Sequence, residues 1–173
     1  MDTRYIGIDP GKSGFTAAML KDGIEFYLTP TILVGKSKRA YDANEMYKIL
    51  NGIFTVSNGK IIENRFLTIE KQQSMPGQGV ASTFTTGFGY GLWVGIITAL
   101  QIPHIIVHPR TWKKEMLRDI PGTDPKGRSI IAAQRLFPNI DFKRTPRCKG
   151  PDHNKVEALL LAEYGRRKHC SLI

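Results

Sequence analysis

The stretch Tyr5-Ile6-Gly7-Ile8-Asp9-Pro10-Gly11-Lys12-Ser13-Gly14 joins a short apolar strand, one carboxylate and a glycine-rich turn. Alternation places Tyr5, Gly7 and Asp9 on one face of the strand, and the following Pro-Gly ends the strand and turns the chain. An acid at the tip of a strand suits a metal ion or a phosphate, although Asp-Pro-Gly is also an ordinary turn sequence. The other acids of the chain therefore decide between these two interpretations.

Composition indicates one basic domain. With 173 residues the chain can bury a core without disulfides, and we expect a single domain over 1–173. Lysine and arginine outnumber aspartate and glutamate by 25 to 15, which favours nucleic acid as a partner, the alternative being a generic basic surface. Cys148 and Cys170 lie at no metal-site spacing, and we find no signal segment and no apolar run approaching about 18 residues. We expect a cytoplasmic protein with no membrane partner.

The order of strand and helix patterns predicts the fold class. A hairpin through Lys21-Asp22-Gly23 joins the first strand in a three-stranded antiparallel unit, and strand-helix alternation follows. The predicted elements after the hairpin are a loop over 30–41, a helix from Ala43 to about Thr55 capped by Asp42, a strand from Ile61 to Glu70, a loop over 72–79, a helix from Ser82 to Leu100, a strand over 104–108, and helices from Pro109, from Ser129 to Phe137, and from Pro151 to Gly165 before a basic tail. This pattern is typical of an α/β domain with a mixed sheet flanked by helices, as in ribonuclease H-like folds.

Three glycines recur at spacing four in the helix after the second acid, at Gly87, Gly91 and Gly95. Each costs about 1 kcal/mol against alanine in a helix, so the close approach of another backbone would offset them. That neighbour is either the sheet or a second copy of the chain.

The acids suit metal-dependent phosphodiester cleavage. Two divalent ions about 3.5–4 Å apart neutralise charge on the attacking and leaving oxygens when several carboxylates converge. Asp9 and Glu70 each stand at a strand end, and Glu157 shares one face of the last helix with His153. Asp152 lies about 140° away around the helix and stays in reserve as a ligand or a cap. The alternatives are a solvated Glu157 and a simple, partly buried His153.

Four stretches together resemble the RuvC-type Holliday-junction resolvases, especially the compact phage and poxvirus-like members. The likeness covers nearly the whole chain. Its pieces are Ile6 to Gly11, then Ile69-Glu70-Lys71 with Met75 to Gly79, then Pro109-Arg110-Thr111-Trp112-Lys113-Lys114, and finally Asp152 to Ala162. The resemblance implies a homodimer with a ribonuclease H-like fold that binds a four-way DNA junction and nicks opposing strands, leaving 5′ phosphates. It is consistent with a phage- or virus-encoded protein that acts inside a host cell.

The resemblance also implies roles for particular residues. Asp9, Glu70 and Glu157 would hold two Mg²⁺ ions, or Mn²⁺ in their place, and Lys113 would contact the scissile phosphate. The sequence departs from the family at the fourth ligand, where His153 is our choice, and after the second acid, where polar Gln72 and Gln73 replace the aromatic wedge of some members. The expected DNA contacts are Gln72, Gln73, Met75 and Gln78 at the cut, and Lys113, Lys114, Lys126, Arg128, Lys143 and Arg144 on phosphates.

Three other functions would use parts of the same sequence pattern. A P-loop at Gly11-Lys12-Ser13 is excluded because Ile6 stands where that motif requires glycine. A nuclease acting more broadly on branched DNA would use the same chemistry. A non-catalytic junction-binding module would keep the basic surface without an assembled site, and metal-dependent nicking separates it from an enzyme.

Overall fold

The computed structural model describes residues 3–54, 64–74 and 76–171. Within these residues the chain forms seven strands and five helices. In chain order they are β1 (Arg4–Ile8), β2 (Phe15–Leu20), β3 (Gly23–Leu28), β4 (Thr31–Val34), β5 (Lys38–Tyr41), α1 (Ala43–Phe54), β6 (Arg65–Glu70), α2 (Val80–Ala99), β7 (His104–Val107), α3 (Pro109–Met116), α4 (Pro125–Leu136) and α5 (His153–Cys170).

A five-stranded mixed sheet in the order β3-β2-β1-β6-β7 forms the centre of the fold. Strands β1 to β3 pair antiparallel, while β6 runs parallel to both β1 and β7. The predicted three-stranded antiparallel start and the predicted mixed sheet are therefore confirmed. Because β1 and β6 are parallel neighbours, their carboxyl ends meet at one edge of the sheet.

Two hydrophobic clusters cover the two faces of this sheet. On one face α3, α4 and α5 pack through buried side chains that include Trp112 and Leu160, and on the other α1 and α2 pack through Met46, Trp93 and Ile97. Every residue of α5 from Val156 to Gly165 is buried, so this helix forms the centre of its layer. A sheet covered on both faces by helices confirms the predicted α/β class.

The prediction of a loop over 30–41 was wrong. Strands β4 and β5 pair antiparallel there as a separate two-stranded sheet. Gly35 makes the turn possible with a φ of 66°, a conformation that glycine adopts without strain. The hairpin escaped sequence analysis because Ile32, Leu33 and Val34 are all exposed, so no alternation of buried and exposed residues marks it.

The largest differences from the predicted helix boundaries are in α4 and α5. α4 begins at Pro125 and not at Ser129, since Asp124 accepts hydrogen bonds from the backbone N–H groups of Lys126 and Gly127. α5 begins at His153 and continues through Gly165 to Cys170, so the residues expected in a basic tail are helical. The helix expected to end at about Thr55 is described to Phe54, and residues 55 and 61–63 of the predicted elements lie outside the described residues.

The glycine stripe of α2 faces away from the sheet. Gly89, Trp93 and Ile97 are the buried residues of this helix, and a Cβ added at Gly87, Gly91 or Gly95 would meet no atom within 4 Å. Close packing against the sheet therefore does not explain the stripe. In length and composition α2 is apolar enough to cross a membrane, a property that it shares with core helices of soluble proteins.

Candidate active site

Asp9 and Glu70 lie side by side at the carboxyl edge of the sheet. Ile8 is opposite Ile69 in the parallel β1–β6 pair, Asp9 follows β1 directly, and Glu70 is the last residue of β6. The turn after Asp9 is tight, because a Cβ added at Gly14 would lie 2.0 Å from the carbonyl oxygen of Asp9. The backbone N–H of Asp9 donates to the carbonyl of Phe15 at 3.0 Å, which fixes the start of this turn.

Glu157 reaches the same edge because α5 lies directly on β1. A Cβ added at Gly7 would come within 2.0 Å of the carbonyl oxygen of Ala158 and 2.4 Å of the backbone nitrogen of Ala162. Glycine at position 7 thus permits a contact between strand and helix backbones that any larger residue would prevent. The Glu157 side chain, one residue before Ala158, is buried beside Asp9 and Glu70.

Three side chains contact the carboxylate of Glu157. Lys113 Nζ lies 2.5 Å from Oε1, His153 Nε2 lies 3.1 Å from Oε1, and Ser129 Oγ donates to Oε1 at 3.4 Å. The predicted pairing of His153 with Glu157 across one helical turn is observed. The Nε2 atom of His153 is buried, and apart from its 3.1 Å contact with Glu157 it has no partner among the described residues.

Glu70 is held by a second pair of donors. The indole Nε1 of Trp112 donates to Oε2 at 2.7 Å, and Nε2 of Gln72 donates weakly to Oε1 at 3.4 Å. Trp112 is fully buried, so its nitrogen has no access to water and the carboxylate is its partner. Trp112 and Ser129 are site residues that sequence analysis missed. The N-cap at Asp124 with Pro125 after it was the signal that could have extended α4 and placed Ser129 on its inner face.

The three carboxylates perturb one another. Burial, followed by the negative charges of Glu70 and Glu157, raises the pKa of Asp9 to about 7. Burial likewise raises the pKa of Glu70, with the charge of Glu157 adding to the effect. Burial alone would also raise the pKa of Glu157, but the contacts with His153 and Lys113 lower it. The contact with Glu157 in turn raises the pKa of His153.

The types of side chain at this edge suit a hard divalent cation. Asp9, Glu70 and Glu157 offer carboxylate oxygens, which Mg²⁺ and Mn²⁺ prefer, and His153 adds an unsatisfied ring nitrogen. A cation would relieve the repulsion that raises the pKa of Asp9. As the side chains lie, no three His, Cys, Asp or Glu residues in the described part of the chain are placed to share one ion. The ammonium of Lys113 supplies the positive charge beside Glu157.

Asp152 and Arg144 are engaged with each other beside this site. Asp152 caps α5 by accepting from the backbone N–H of Asn154 at 2.9 Å, and Arg144 Nε lies 2.5 Å from its Oδ2. Arg144 also donates to the carbonyl of Ser13 at 3.0 Å, and Asn154 Nδ2 donates to the same oxygen at 2.9 Å. These contacts hold the turn after Asp9 against the start of α5.

The other predicted DNA contacts lie on the loop after β6, on α3 and α4, and in the segment before α5. Gln72, Gln73 and Gln78 line a cavity of about 220 Å³ between the loop after β6 and the start of α2. Lys114 is exposed on α3, Lys126 is exposed in the first turn of α4, and Lys143 lies in the irregular segment before α5. Arg128 donates to the carbonyls of Ile120 at 3.0 Å and Leu117 at 2.6 Å, which ties α4 to the end of α3. Met75 lies outside the described residues.

Solved structures similar to this chain include two of RuvC. No protein-family model and no curated protein matches the chain. A structure of T. thermophilus RuvC in complex with a Holliday junction substrate is 12% identical with a TM-score of 0.55, and covers 96% of both chains. A Thermus thermophilus RuvC structure is 15% identical with a TM-score of 0.54, and the match covers 96% of this chain and 97% of that one. The chain therefore has the α/β, ribonuclease H-like fold of RuvC.

Proposed function

We propose that this chain is a DNA endonuclease that resolves four-way junctions inside the cell by paired, metal-dependent nicking of opposing strands. The observation that carries the proposal is the meeting of Asp9, Glu70 and Glu157 at one edge of the sheet, on two adjacent parallel strands and the helix across them. The likeness in fold to a RuvC structure in complex with a Holliday junction substrate supports the choice of substrate.

The side chains around this edge divide the work of phosphodiester hydrolysis. One or two Mg²⁺ or Mn²⁺ ions held by Asp9, Glu70, Glu157 and His153 would neutralise phosphate charge and lower the pKa of a bound water. Lys113, whose ammonium already lies at Glu157, would contact the scissile phosphate and stabilise the charge that develops there. The products would be a 5′ phosphate and a 3′ hydroxyl.

His153 is the fourth ligand in this proposal, and Asp152 is its structural neighbour. The choice is supported by the contact of His153 with Glu157, whereas Asp152 caps α5 and pairs with Arg144. Asparagine is as good an N-cap as aspartate, so Asp152→Asn should keep the helix and most of the nicking activity. His153→Ala should raise the Mg²⁺ concentration needed for nicking. If His153→Ala nicks like the natural protein while Asp152→Asn does not, Asp152 is the ligand.

Paired nicks require two active sites, and the exposed face of α2 supports a homodimer. Val80, Phe84 and Phe88 are 87%, 73% and 53% exposed. Beside them a largely apolar cavity of about 480 Å³ lies between α1 and α2, lined by Tyr47, Phe88, Gly91, Leu92, Gly95, Ile96 and Ala99. A second copy that lays its own α2 on this face would bury the apolar surface and give the glycine stripe its close backbone partner.

The basic charge of the chain supports a polyanionic substrate. The formal net charge is +10, and Lys12, Lys113 and Lys126 lie on elements that carry or border the carboxylates. Contacts of this kind give affinity that depends on salt and carries no sequence information. The loop with Gln72, Gln73 and Gln78 borders Glu70, so any preference for bases at the cut would come from this loop.

Two other functions use the same features and give different results in one experiment. The purified chain is incubated with a synthetic four-way junction, a nicked duplex and a Y-fork, with Mg²⁺ or with EDTA, and Asp9→Asn is the control. Paired nicks across the junction that need Mg²⁺ and Asp9 support the proposal. Equal cutting of all branched forms indicates a general debranching nuclease, and binding without any cutting indicates a non-catalytic junction-binding module.

A further inference from the structure

A basic groove opens from the candidate active site between α3 and α4. Its volume is about 750 Å³, and five of its eight lining residues are basic while none is acidic. Lys113 belongs both to this groove and to the contact with Glu157, so the groove begins where the scissile phosphate would lie. The lining residues are Pro109, Arg110, Lys113, Lys114, Leu117, Arg118, Pro125 and Arg128.

Three of these cations come from α3 and the turn that follows it. Arg110 and Lys114 lie one turn apart on α3, about 6 Å along its axis, and Arg118 lies in the turn that follows the helix. All three are exposed and line the groove. One strand of B-DNA carries a phosphate for about every 3.4 Å of rise, so this spacing suits contacts with nearby phosphates of one strand.

Within the described part of the chain these three side chains are bound to no acid or carbonyl, unlike several other cations. None of them forms an ion pair or a side-chain hydrogen bond with a described residue, whereas Arg144 pairs with Asp152 and Lys168 with Glu115. The nearby acid Asp124 is also engaged, because it accepts from two backbone N–H groups at the start of α4. The groove therefore keeps its positive charge for an external anion.

The walls of the groove combine apolar surface with basic side chains and carry no aromatic side chain on which bases could stack. Arg128 ties α4 to the end of α3 through two backbone carbonyls, so the groove is held open by structure. Pro109, Leu117 and Pro125 supply apolar surface, and no lining residue is aromatic. A sugar-phosphate backbone fits this mixture of apolar walls and exposed cations, since stacking on bases would call for aromatic side chains.

We propose that this groove binds the DNA strand that continues from the scissile phosphate, with Arg110, Lys114 and Arg118 as successive phosphate contacts and without sequence preference. The inference rests on the proposed function for the identity of the strand. It adds Arg110 and Arg118 to the DNA-contacting residues and gives the exposed Lys114 a defined position on the strand.

The test measures binding of a labelled four-way junction over a series of salt concentrations in EDTA, so that it depends on neither metal nor cleavage. The groove variant is Lys114→Gln with Arg118→Gln, and the control is Lys21→Gln with Lys48→Gln, which removes the same charge from the β2–β3 turn and from α1. We expect the slope of log affinity against log salt to fall by about 2 for each bound subunit of the groove variant, or by about 4 for a dimer on one junction, since each phosphate contact contributes about 0.9. The control should keep the natural slope.

A second arm locates the contact on the strand. Single methylphosphonate linkages, which carry no charge, are placed at successive positions beside the nick. The natural protein should lose affinity at some of these positions and the groove variant should lose none there, because its contact is already missing. Equal slopes in groove variant and control, or the same positional pattern in both proteins, would overturn the proposal. Polyglutamate serves as an acidic-peptide probe. A groove variant that binds the junction normally but no longer binds polyglutamate would also overturn the proposal and would assign the groove to an acidic peptide.

Failure of the proposed function gives a different result. A chain that binds the junction through the groove in EDTA but never nicks it with Mg²⁺ would refute the nuclease and leave the groove in place. Normal nicking with an unchanged salt slope in the groove variant would refute the groove and leave the nuclease.

Discussion

Trp112 and Glu70 are joined by a hydrogen bond of 2.7 Å from the indole nitrogen to the carboxylate. The next residue of α3, Lys113, contacts Glu157 at 2.5 Å. Two successive residues of one short helix therefore position two of the three clustered carboxylates, one through a neutral donor and the other through a charge. Because Trp112 is fully buried among the side chains of the core, the position of Glu70 is tied to the packing of that core.

Replacing Trp112 by phenylalanine should weaken metal binding without unfolding the protein. The change keeps an aromatic ring in the core but removes the donor to Glu70 together with part of the indole volume, and loss of such a supporting bond typically costs about 10- to 100-fold in metal affinity. Trp93→Phe is the matched control, because Trp93 is equally buried and its indole nitrogen has no partner among the described residues. Calorimetric titration with Mn²⁺ measures both variants. Equal losses in the two variants would show that the effect is one of packing.

The raised pKa of Asp9 makes the stability of the metal-free protein depend on pH. The folded state holds the proton on Asp9 up to about pH 7, whereas the unfolded chain releases it near the ordinary value of 3.8. Stability from this group is therefore complete below the ordinary pKa and is lost as the pH rises through about 7. Asp9→Asn should raise the free energy of unfolding by roughly 2–4 kcal/mol at about pH 8 and change it little at about pH 4.

Urea unfolding in EDTA at the two pH values measures this difference. Asp22→Asn, in the exposed turn between β2 and β3, controls for the loss of one carboxylate. If Asp9→Asn raises the free energy of unfolding by the same amount at both pH values, the result would contradict the burial of a charged Asp9 beside Glu70 and Glu157.

Gly7→Ala should destabilise the fold and abolish nicking together. The new methyl group would lie 2.0 Å from the carbonyl oxygen of Ala158, so β1 and α5 must separate, at a cost of about 3 kcal/mol or more. Since Asp9 is carried by β1 and Glu157 by α5, the same movement separates the carboxylates. Gly52→Ala, in open space on α1, should instead stabilise by about 0.5–1 kcal/mol. Thermal unfolding compares the two, and an unchanged Gly7→Ala protein would contradict the described contact.

Gly95→Glu should convert a dimer to a monomer. A side chain at Gly95 meets no atom of its own chain within 4 Å, so the monomer accommodates it, but it places a charge in the apolar cavity between α1 and α2. Sedimentation velocity should show the natural chain at about twice 19.4 kDa and the variant at 19.4 kDa, with Gly52→Glu as the control. A monomeric natural chain would contradict the homodimer, and flotation of that chain with lipid vesicles would assign the face of α2 to a membrane.

Sequence alone predicted the sheet and the main carboxylates because their signals are local. Asp9 and Glu70 each stand at the end of an apolar strand, and the parallel pairing that joins them follows from strand-helix alternation. Contacts between distant residues gave no such signal. Nothing in the sequence around Trp112 or Ser129 shows that one reaches Glu70 and the other Glu157, since these partners lie 42 and 28 residues away.

Two glycines illustrate the same limit. Gly165 resembled a helix terminator, yet α5 continues to Cys170. Glycine is needed at position 165 for a different reason, because the missing side chain makes room for the Thr68 hydroxyl. Gly89 similarly makes room for the ring of Tyr41. Whether a glycine ends a helix or makes room for another side chain depends on a residue distant in the sequence, and that residue is known only from the folded structure.

The most direct test of the central claim compares Asp9→Asn, Glu70→Gln and Glu157→Gln on a four-way junction. Each substitution removes one charge and keeps the shape of the side chain, so nicking with Mg²⁺ and binding in EDTA are measured side by side. If the three carboxylates form one metal-dependent site, each variant should lose nicking by at least about 1,000-fold. Each should still bind the junction at least as well as the natural chain, because a negative charge has been removed. If any one of these three variants nicks within about tenfold of the natural rate, the result would contradict a single shared site.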